Sequence, residues 1–318
     1  MVSASSNRMP WRSRAAATKT QVRAGALGLV AFVVLAAAVP AAEGACTPWR
    51  ASTVLSGQGA LENLAFDGRG AMFLSAIRDD AILRVGRERN LTTLIADVHA
   101  PGGLRYRRGI LYFNTGDDII SGLQGLTDGT LERYRLKSGR RSIWARGLTM
   151  PNGLVFLRNG DAVVSRDIGQ GTGMTRIPAN DPANPDFNWA PLDDTNGMAT
   201  DANGRWLYTV ETLNPESRVL RVRIGNPARI EVVASLGDGT MSKGLDDMTI
   251  DDRGRLYITA NFAGELIRLN PSTGATCVIA SGLPGPSSVK FGRGRGWSKR
   301  SLYVTAFDGT VTRLSPPD

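Results

Sequence analysis

From about residue 50 to the end of the chain, short apolar runs alternate with turns rich in Asp, Gly, Asn and Arg. One pattern returns six times: an apolar strand, a tight turn, an aromatic-rich strand, a strand ending in Arg-Leu or similar, and a further apolar strand. The opening pairs read ENLAFDGRGAMFLSA, GGLRYRRGILYFNT, NGLVFLRNGDAVVSR, NGMATDANGRWLYTV, DDMTIDDRGRLYITA and SSVKFGRGRGWSKRSLYVTA. They start at Glu62, Gly102, Asn152, Asn196, Asp246 and Ser287, which are 40, 50, 44, 50 and 41 residues apart. Each turn supplies the Gly or Asn that a hairpin needs where φ is positive. Third strands follow in AILRVG, TLERYRLKSG, GMTRIP, RVLRVRIG, ELIRLNPSTG and TVTRLSP. Closing strands follow in TTLIAD, RSIWARGL, EVVASLG and TCVIASGL, with a less regular FNWAPLD in the third unit. Four-stranded units at this period are propeller blades. The expectation is an all-β, six-bladed β-propeller over residues 50–318, one domain although 318 residues have room for two.

The sixth unit stops at TVTRLSPPD, one strand short, and the missing strand stands at the other end: STVLSGQGALENL (52–64) imitates CVIASGLPGPSSV (277–289). An N-terminal strand that completes the last blade closes the ring and removes its open edge. Closure would also carry Cys46 towards Cys277. The two cysteines are open to three fates: one disulfide, two free thiols, or a lipidated Cys46, the last disfavoured by Glu43 where a lipoprotein signal has Leu.

Ahead of the repeats, Arg8, Arg12, Arg14, Lys19 and Arg23 precede the uncharged stretch AGALGLVAFVVLAAAVPAA (24–42), which ends in small residues. This is the layout of a signal peptide over residues 1–42, and so of an exported, periplasmic or secreted protein; an uncleaved membrane anchor is the alternative. Without those five cations, 33 Lys and Arg face 29 Asp and Glu, a net charge of about +4 in place of +9. The basic balance is thus largely the leader's, and nucleic acid is not an expected partner. The remaining basic run, GRGRGWSKR (292–300), reads as a solvated loop. Nothing in the sequence sets the oligomeric state.

In a propeller the first residues of the inner strands meet around one mouth of the central channel. Of the six openings, Glu62, Asn152, Asn196 and Asp246 are oxygen donors from separate blades. Singly, an Asn before Gly serves turns and an acid serves caps or ion pairs; in shared register the set suits a hard cation. Ca²⁺, which takes six to eight oxygens, fits best, other divalent cations being the alternative. Zinc or copper would call for Cys or His, and the chain has a single His. Because Ca²⁺ acidifies bound water only weakly, a protein base is needed as well. Asp246 and Asp247 are adjacent, so on a strand of period two they point opposite ways.

These stretches resemble a known family, the calcium-dependent six-bladed propellers of the senescence marker protein, gluconolactonase and luciferin-regenerating enzyme group. The resemblance covers about residues 52–318 and rests on MPNGLVFLRNG, DTNGMATDANGRWLYTVET, GLDDMTIDDRGRLYITAN and PSSVKFGRGRGWSKRSLYVT. It implies that Glu62, Asn152, Asn196 and Asp246 are calcium ligands and that Asp246 is also the catalytic base or nucleophile. Two positions depart from the pattern: Glu62-Asn63-Leu64 replaces Glu-Gly-Pro, and Asp247 stands where Gly is usual. The implied activity is hydrolysis of a lactone, a small-molecule substrate, with phosphotriesters as a side activity; Asp247, pointing away from Asp246, reads as a supporting acid. Candidate substrate-binding residues around the mouth are His99, Asn114, Asp117, Asp118, Asp167, Glu211 and Asn261. The rival readings are a non-catalytic exported scaffold with structural calcium and a metal-free enzyme resembling strictosidine synthase.

Overall fold

The structure, a computed structural model, describes residues 46–169 and 173–317. The expected leader lies outside the described residues. Among those described, no helix is long and apolar enough to cross a membrane. Six four-stranded antiparallel sheets form the blades of a propeller ring. Their inner strands are Leu61–Phe66, Leu104–Arg107, Pro151–Phe156, Thr195–Thr200, Leu245–Ile250 and Pro286–Phe291. One short helix, Ile119–Gln124, interrupts blade two between its second and third strands.

Each sheet is sandwiched between two neighbours, so its central strands are buried on both faces. Met72–Ala76, Ala162–Arg166, Leu256–Ala260 and Leu302–Ala306 are buried at every position, which is why they read as mainly apolar runs rather than as alternation. The core is a set of layers between blades. Leu74 and Met72 of blade one pack with Tyr303 and Val311 of blade six; Tyr208, Val210 and Val219 of blade four pack with Leu256, Ile258 and Ile267 of blade five. In the basic loop, Trp297 is buried and donates from Nε1 to the Gly70 carbonyl at 3.0 Å, with Arg89 over its ring. The loop is therefore pinned at its centre while Arg293, Arg295, Lys299 and Arg300 stay exposed.

Ring closure follows the expected route. Arg50–Leu55 pairs antiparallel with Val311–Ser315, Ser52 opposite Arg313, and supplies the fourth strand of blade six. Just before it, Cys46 is disulfide-bonded to Cys277 on the closing strand of blade five, with Cα atoms 5.6 Å apart. Trp49 N–H donates to the Ile279 carbonyl at 2.8 Å and the Trp49 ring meets Tyr257. The closing segment is thus fastened to two blades. The bridge spans 231 residues, and a loop of that size restricts the unfolded chain strongly, so Cys46→Ser is expected to cost about 2–4 kcal/mol. Urea denaturation of the wild type and variant checks this; coincident midpoints would mean that strand pairing alone fastens the ring.

Candidate active site

The inner strands do not enter their sheets as regular strands. Pairing with the second strand jumps between Leu61 and Leu64, Pro151 and Leu154, Thr195 and Met198, and Leu245 and Met248, and shifts again between Pro286 and Ser288. Such bulges leave residues outside the ladder and redirect their side chains. The residues set free are Glu62-Asn63, Asn152-Gly153, Asn196-Gly197, Asp246-Asp247 and Ser287, the same positions that open the repeats.

Freed backbone groups need other partners when buried, and hydroxyls on the second strands supply several. Ser165 Oγ accepts from Gly153 N at 2.7 Å, Thr259 Oγ1 from Asp247 N at 2.9 Å and Thr305 Oγ1 from Ser288 N at 3.1 Å. Other contacts cross to the next blade: Ser75 Oγ donates to the Gly102 carbonyl at 2.5 Å, and Ser287 Oγ to the Leu61 carbonyl at 2.6 Å. The sequence reading passed over these hydroxyls. Their signal was a Ser or Thr one residue before the end of a buried second strand, in Ser75-Ala76, Ser165-Arg166, Thr259-Ala260 and Thr305-Ala306.

The Asn-Gly pairs have a different cause from the turn chemistry that such pairs usually signal. Neither Gly153 nor Gly197 has a positive φ. A Cβ on Gly197 would overlap Asp247 Cα and lie 2.6 Å from Asp247 Oδ1, and one on Gly153 would overlap the Asn196 carbonyl oxygen. These glycines let neighbouring inner strands close on the axis. Gly197→Ala must push blade five's backbone, and an expected loss of about 1–3 kcal/mol can be read from thermal unfolding; unchanged stability would show that the strands can yield.

At the mouth so formed, Glu62, Asn152, Asn196 and Asp246 are all buried. Asn152 Nδ2 donates to Glu62 Oε1 and to Asp117 Oδ2, each at 3.0 Å. Asn196 Nδ2 donates to Thr212 Oγ1 at 3.2 Å, and Thr212 Oγ1 donates to Asp167 Oδ1 at 2.6 Å. Four carboxylates, Glu62, Asp117, Asp167 and Asp246, therefore share one desolvated neighbourhood. Burial, with the added repulsion of neighbouring acids, pushes Glu62 up to about 8 and raises Asp117 and Asp246 well above the carboxylate range. Burial takes Asp167 to about 6, moderated by its hydrogen bonds.

Asp247 lies in a different field, although it is the next residue. Its carboxylate accepts from Ser288 Oγ, Lys290 Nζ and, at 3.2 Å, Asn63 Nδ2. Although burial opposes ionisation, Lys290 and Arg105 hold its pKa below the ordinary carboxylate range. At Lys290 burial outweighs the attraction of Asp247 and lowers the ammonium to about 8; their direct contact and low exposure favour the ion pair at neutral pH. The two aspartates face different surroundings, and the bulge aims Asp247 at the inner strands of blades one and six.

Several rim candidates join this neighbourhood. Asn114 is fully buried and donates to the Asn152 carbonyl at 2.7 Å, and Asn261 Nδ2 lies 3.4 Å from Asp246 Oδ2. Three others are engaged elsewhere. Glu211 is held by both arms of Arg218, at 2.5 and 2.7 Å. Asp118 caps the short helix through Ile120 N and Ser121 N. His99 is exposed and lies 3.8 Å from Asp80.

The donor set can be tested against a cation. Asn114 Oδ1, Asp117 Oδ1, Asn196 Oδ1 and Asp246 Oδ1 are buried without a hydrogen-bond partner. Burial and mutual repulsion hold the pKa of Glu62, Asp117 and Asp246 above the ordinary carboxylate range. Hard oxygens and clustered buried carboxylates fit a calcium-like ion. Among the described residues, no three His, Cys, Asp or Glu side chains form a group that could hold a metal; the proposed set has two such residues and takes its other oxygens from amides. Cavities of about 570, 290 and 250 Å³ open at the other end of the inner strands, around Arg105, Arg107, Phe156 and Lys290. They contain none of these acids; the unpartnered oxygens lie at the acidic mouth instead.

The class defined by this architecture is a six-bladed propeller with an acidic, oxygen-lined mouth. Residues 189–308, from the closing strand of blade three into blade six, match the family described as SMP-30/Gluconolactonase/LRE-like region. The resemblance drawn from the sequence holds over that stretch. Solved structures with the same fold include a gluconolactonase from Xanthomonas campestris, at 15% identity and a TM-score of 0.67 over 85% of this chain and 90% of that one. A luciferin-regenerating enzyme matches at 11% identity and 0.64, covering 84% and 95%. A virginiamycin B lyase from Staphylococcus aureus matches at 11% and 0.57, covering 84% and 99%. No curated protein matches the chain.

Proposed function

We propose that the protein is an exported, calcium-dependent hydrolase of lactones in which Glu62, Asn152, Asn196 and Asp246 hold the ion and Asp246 also acts as base or nucleophile. The observation that carries this reading is the group of buried carboxylates gathered at one mouth, where Asn114 Oδ1, Asp117 Oδ1, Asn196 Oδ1 and Asp246 Oδ1 are buried without hydrogen-bond partners. The family match over blades four to six supports a lactonase-type activity. The disulfide supports an oxidising compartment. When bound, calcium would supply Lewis-acid polarisation of the ester carbonyl oxygen.

The chain's own groups do the rest. Asp246 Oδ1 has no hydrogen-bond partner and keeps a lone pair free, while Asn261 lies beside Oδ2. Asp246 can take a proton from water as the oxygen adds to the carbonyl carbon, then return it to the ring oxygen as the C–O bond breaks, giving a hydroxy acid. Acting as a nucleophile instead, it would form an acyl intermediate that water then opens. Asp247, held ionised by Lys290 and Arg105, positions the bulge that presents Asp246.

Calcium titration by calorimetry beside a pH-stat assay on γ- and δ-lactones tests the reading. Saturable calcium binding and turnover abolished by EDTA are expected. Tight calcium binding without turnover of any lactone would leave the scaffold reading; turnover indifferent to EDTA would leave the metal-free one.

A further inference from the structure

Eleven large apolar side chains are exposed among the described residues, and eight of them gather at one place: Ile119, Ile120, Leu123, Leu126, Leu213, Met241, Phe262 and Phe307. In an antiparallel blade whose inner strand starts at the acidic mouth, the second strand ends there. The loops from second to third strand, and from closing strand to next inner strand, therefore rim that mouth. Seven of the eight lie on second-to-third loops of blades two, four, five and six, and Met241 lies between the closing strand of blade four and the inner strand of blade five. The other three, Leu91, Ile143 and Val232, belong to outer strands.

This apolar rim is continuous with the polar site. Ile119 is two residues from Asp117, which touches Asn152. Leu213 follows Thr212, which bonds Asp167 and Asn196. Phe262 follows Asn261, which lies against Asp246. Concentrated exposed apolar surface marks a binding site, and here the loops of Ile119, Leu213 and Phe262 are tied to the polar cluster through the residue beside them or the next but one.

We infer that the substrate carries an alkyl chain: the polar mouth takes the lactone ring and the rim formed by the helix of blade two with Leu213, Met241, Phe262 and Phe307 takes an aliphatic tail. The inference deepens the lactonase reading and rests on it. A polyhydroxylated sugar lactone has no apolar surface to match this rim, whereas a γ-alkyl lactone does. Burying each methylene against it contributes about a fourfold gain in kcat/KM until the tail outruns the rim.

The test is a series of γ-lactones from γ-butyrolactone to γ-dodecalactone, with δ-gluconolactone alongside, assayed on the full chain with calcium. Phe262→Ser and Leu123→Ser, both at exposed positions, are compared with Val232→Ser on an outer strand. A rising kcat/KM with chain length, flattened in the two rim variants and retained in Val232→Ser, is the expected result. Turnover that ignores chain length, or is fastest for gluconolactone, overturns the inference and leaves the lactonase reading standing. Calorimetric binding of the same lactones in EDTA separates the two ideas further. Chain-length-dependent affinity weakened by Phe262→Ser supports a tail-binding rim even if no lactone is hydrolysed. Affinity independent of chain length, or a rim that only drives self-association in sedimentation, overturns it.

Discussion

Asp246→Asn is expected to lower kcat/KM for lactone hydrolysis by about 10²–10⁴-fold, the usual contribution of a positioned base. Asp247→Ala, one residue along, is expected to act chiefly on stability. The amide at 246 is nearly isosteric but cannot receive a proton or attack as a carboxylate. At 247 the loss is of another kind. The Asp247 and Lys290 side chains are only 3% and 15% exposed, and removing one partner of a buried ion pair strands the other's charge, at a cost of about 3–5 kcal/mol. A double variant, Asp247→Ala with Lys290→Met, should recover much of that cost. The measurements are chain-by-chain kinetics and urea unfolding. A stable Asp247 variant with no turnover, beside a fully active Asp246→Asn, would reverse the roles assigned here.

The blade plan was legible because strands sandwiched between sheets must be apolar, and the turns joining them need Gly or Asn at set intervals. Closure was legible because residues 52–64 imitate 277–289. The ligand positions could be read as a register, but not the way they are presented. Alternation assumes an unbroken ladder, and nothing in Leu245-Asp246-Asp247-Met248 announces the bulge that turns Asp247 towards Lys290. Gly153 and Gly197 looked like turn residues because the sequence records a missing side chain without its reason, here the approach of the next inner strand. Asn114, Asp117 and Asp118 read as polar residues of the mouth, yet Asp118 caps a helix that exposes Ile119, Ile120 and Leu123. Leu213, Met241, Phe262 and Phe307 stand far apart along the chain, and only the closed ring brings them to one mouth.

In EDTA, the protein is expected to lose stability as pH rises from about 5 to about 8, and saturating calcium is expected to cancel that loss. Folding raises Asp167 to about 6 and Glu62 to about 8, and it raises Asp117 and Asp246 as well. An acid whose pKa is raised on folding contributes stability that is complete below its unfolded pKa, near 4, and is lost as pH climbs through the folded one. Asp194, raised to about 7, acts in the same direction. Asp161, Asp247 and Asp251 are lowered on folding; their contributions are present above the ordinary carboxylate range and fail only at lower pH, outside this window. Lys290, lowered to about 8, works in the opposite sense above that pH, which sets the upper limit. A cation bound among the same oxygens replaces the protons as the neutralising charge, so its stabilisation grows with pH and reaches about 4 kcal/mol at a concentration a thousandfold above Kd. Thermal melts at matched ionic strength, with EDTA or calcium, measure both slopes. Glu62→Gln should flatten the EDTA slope, since the amide needs no proton. Melting curves in EDTA and calcium that coincide at every pH from 5 to 8 would remove the metal from the acidic mouth.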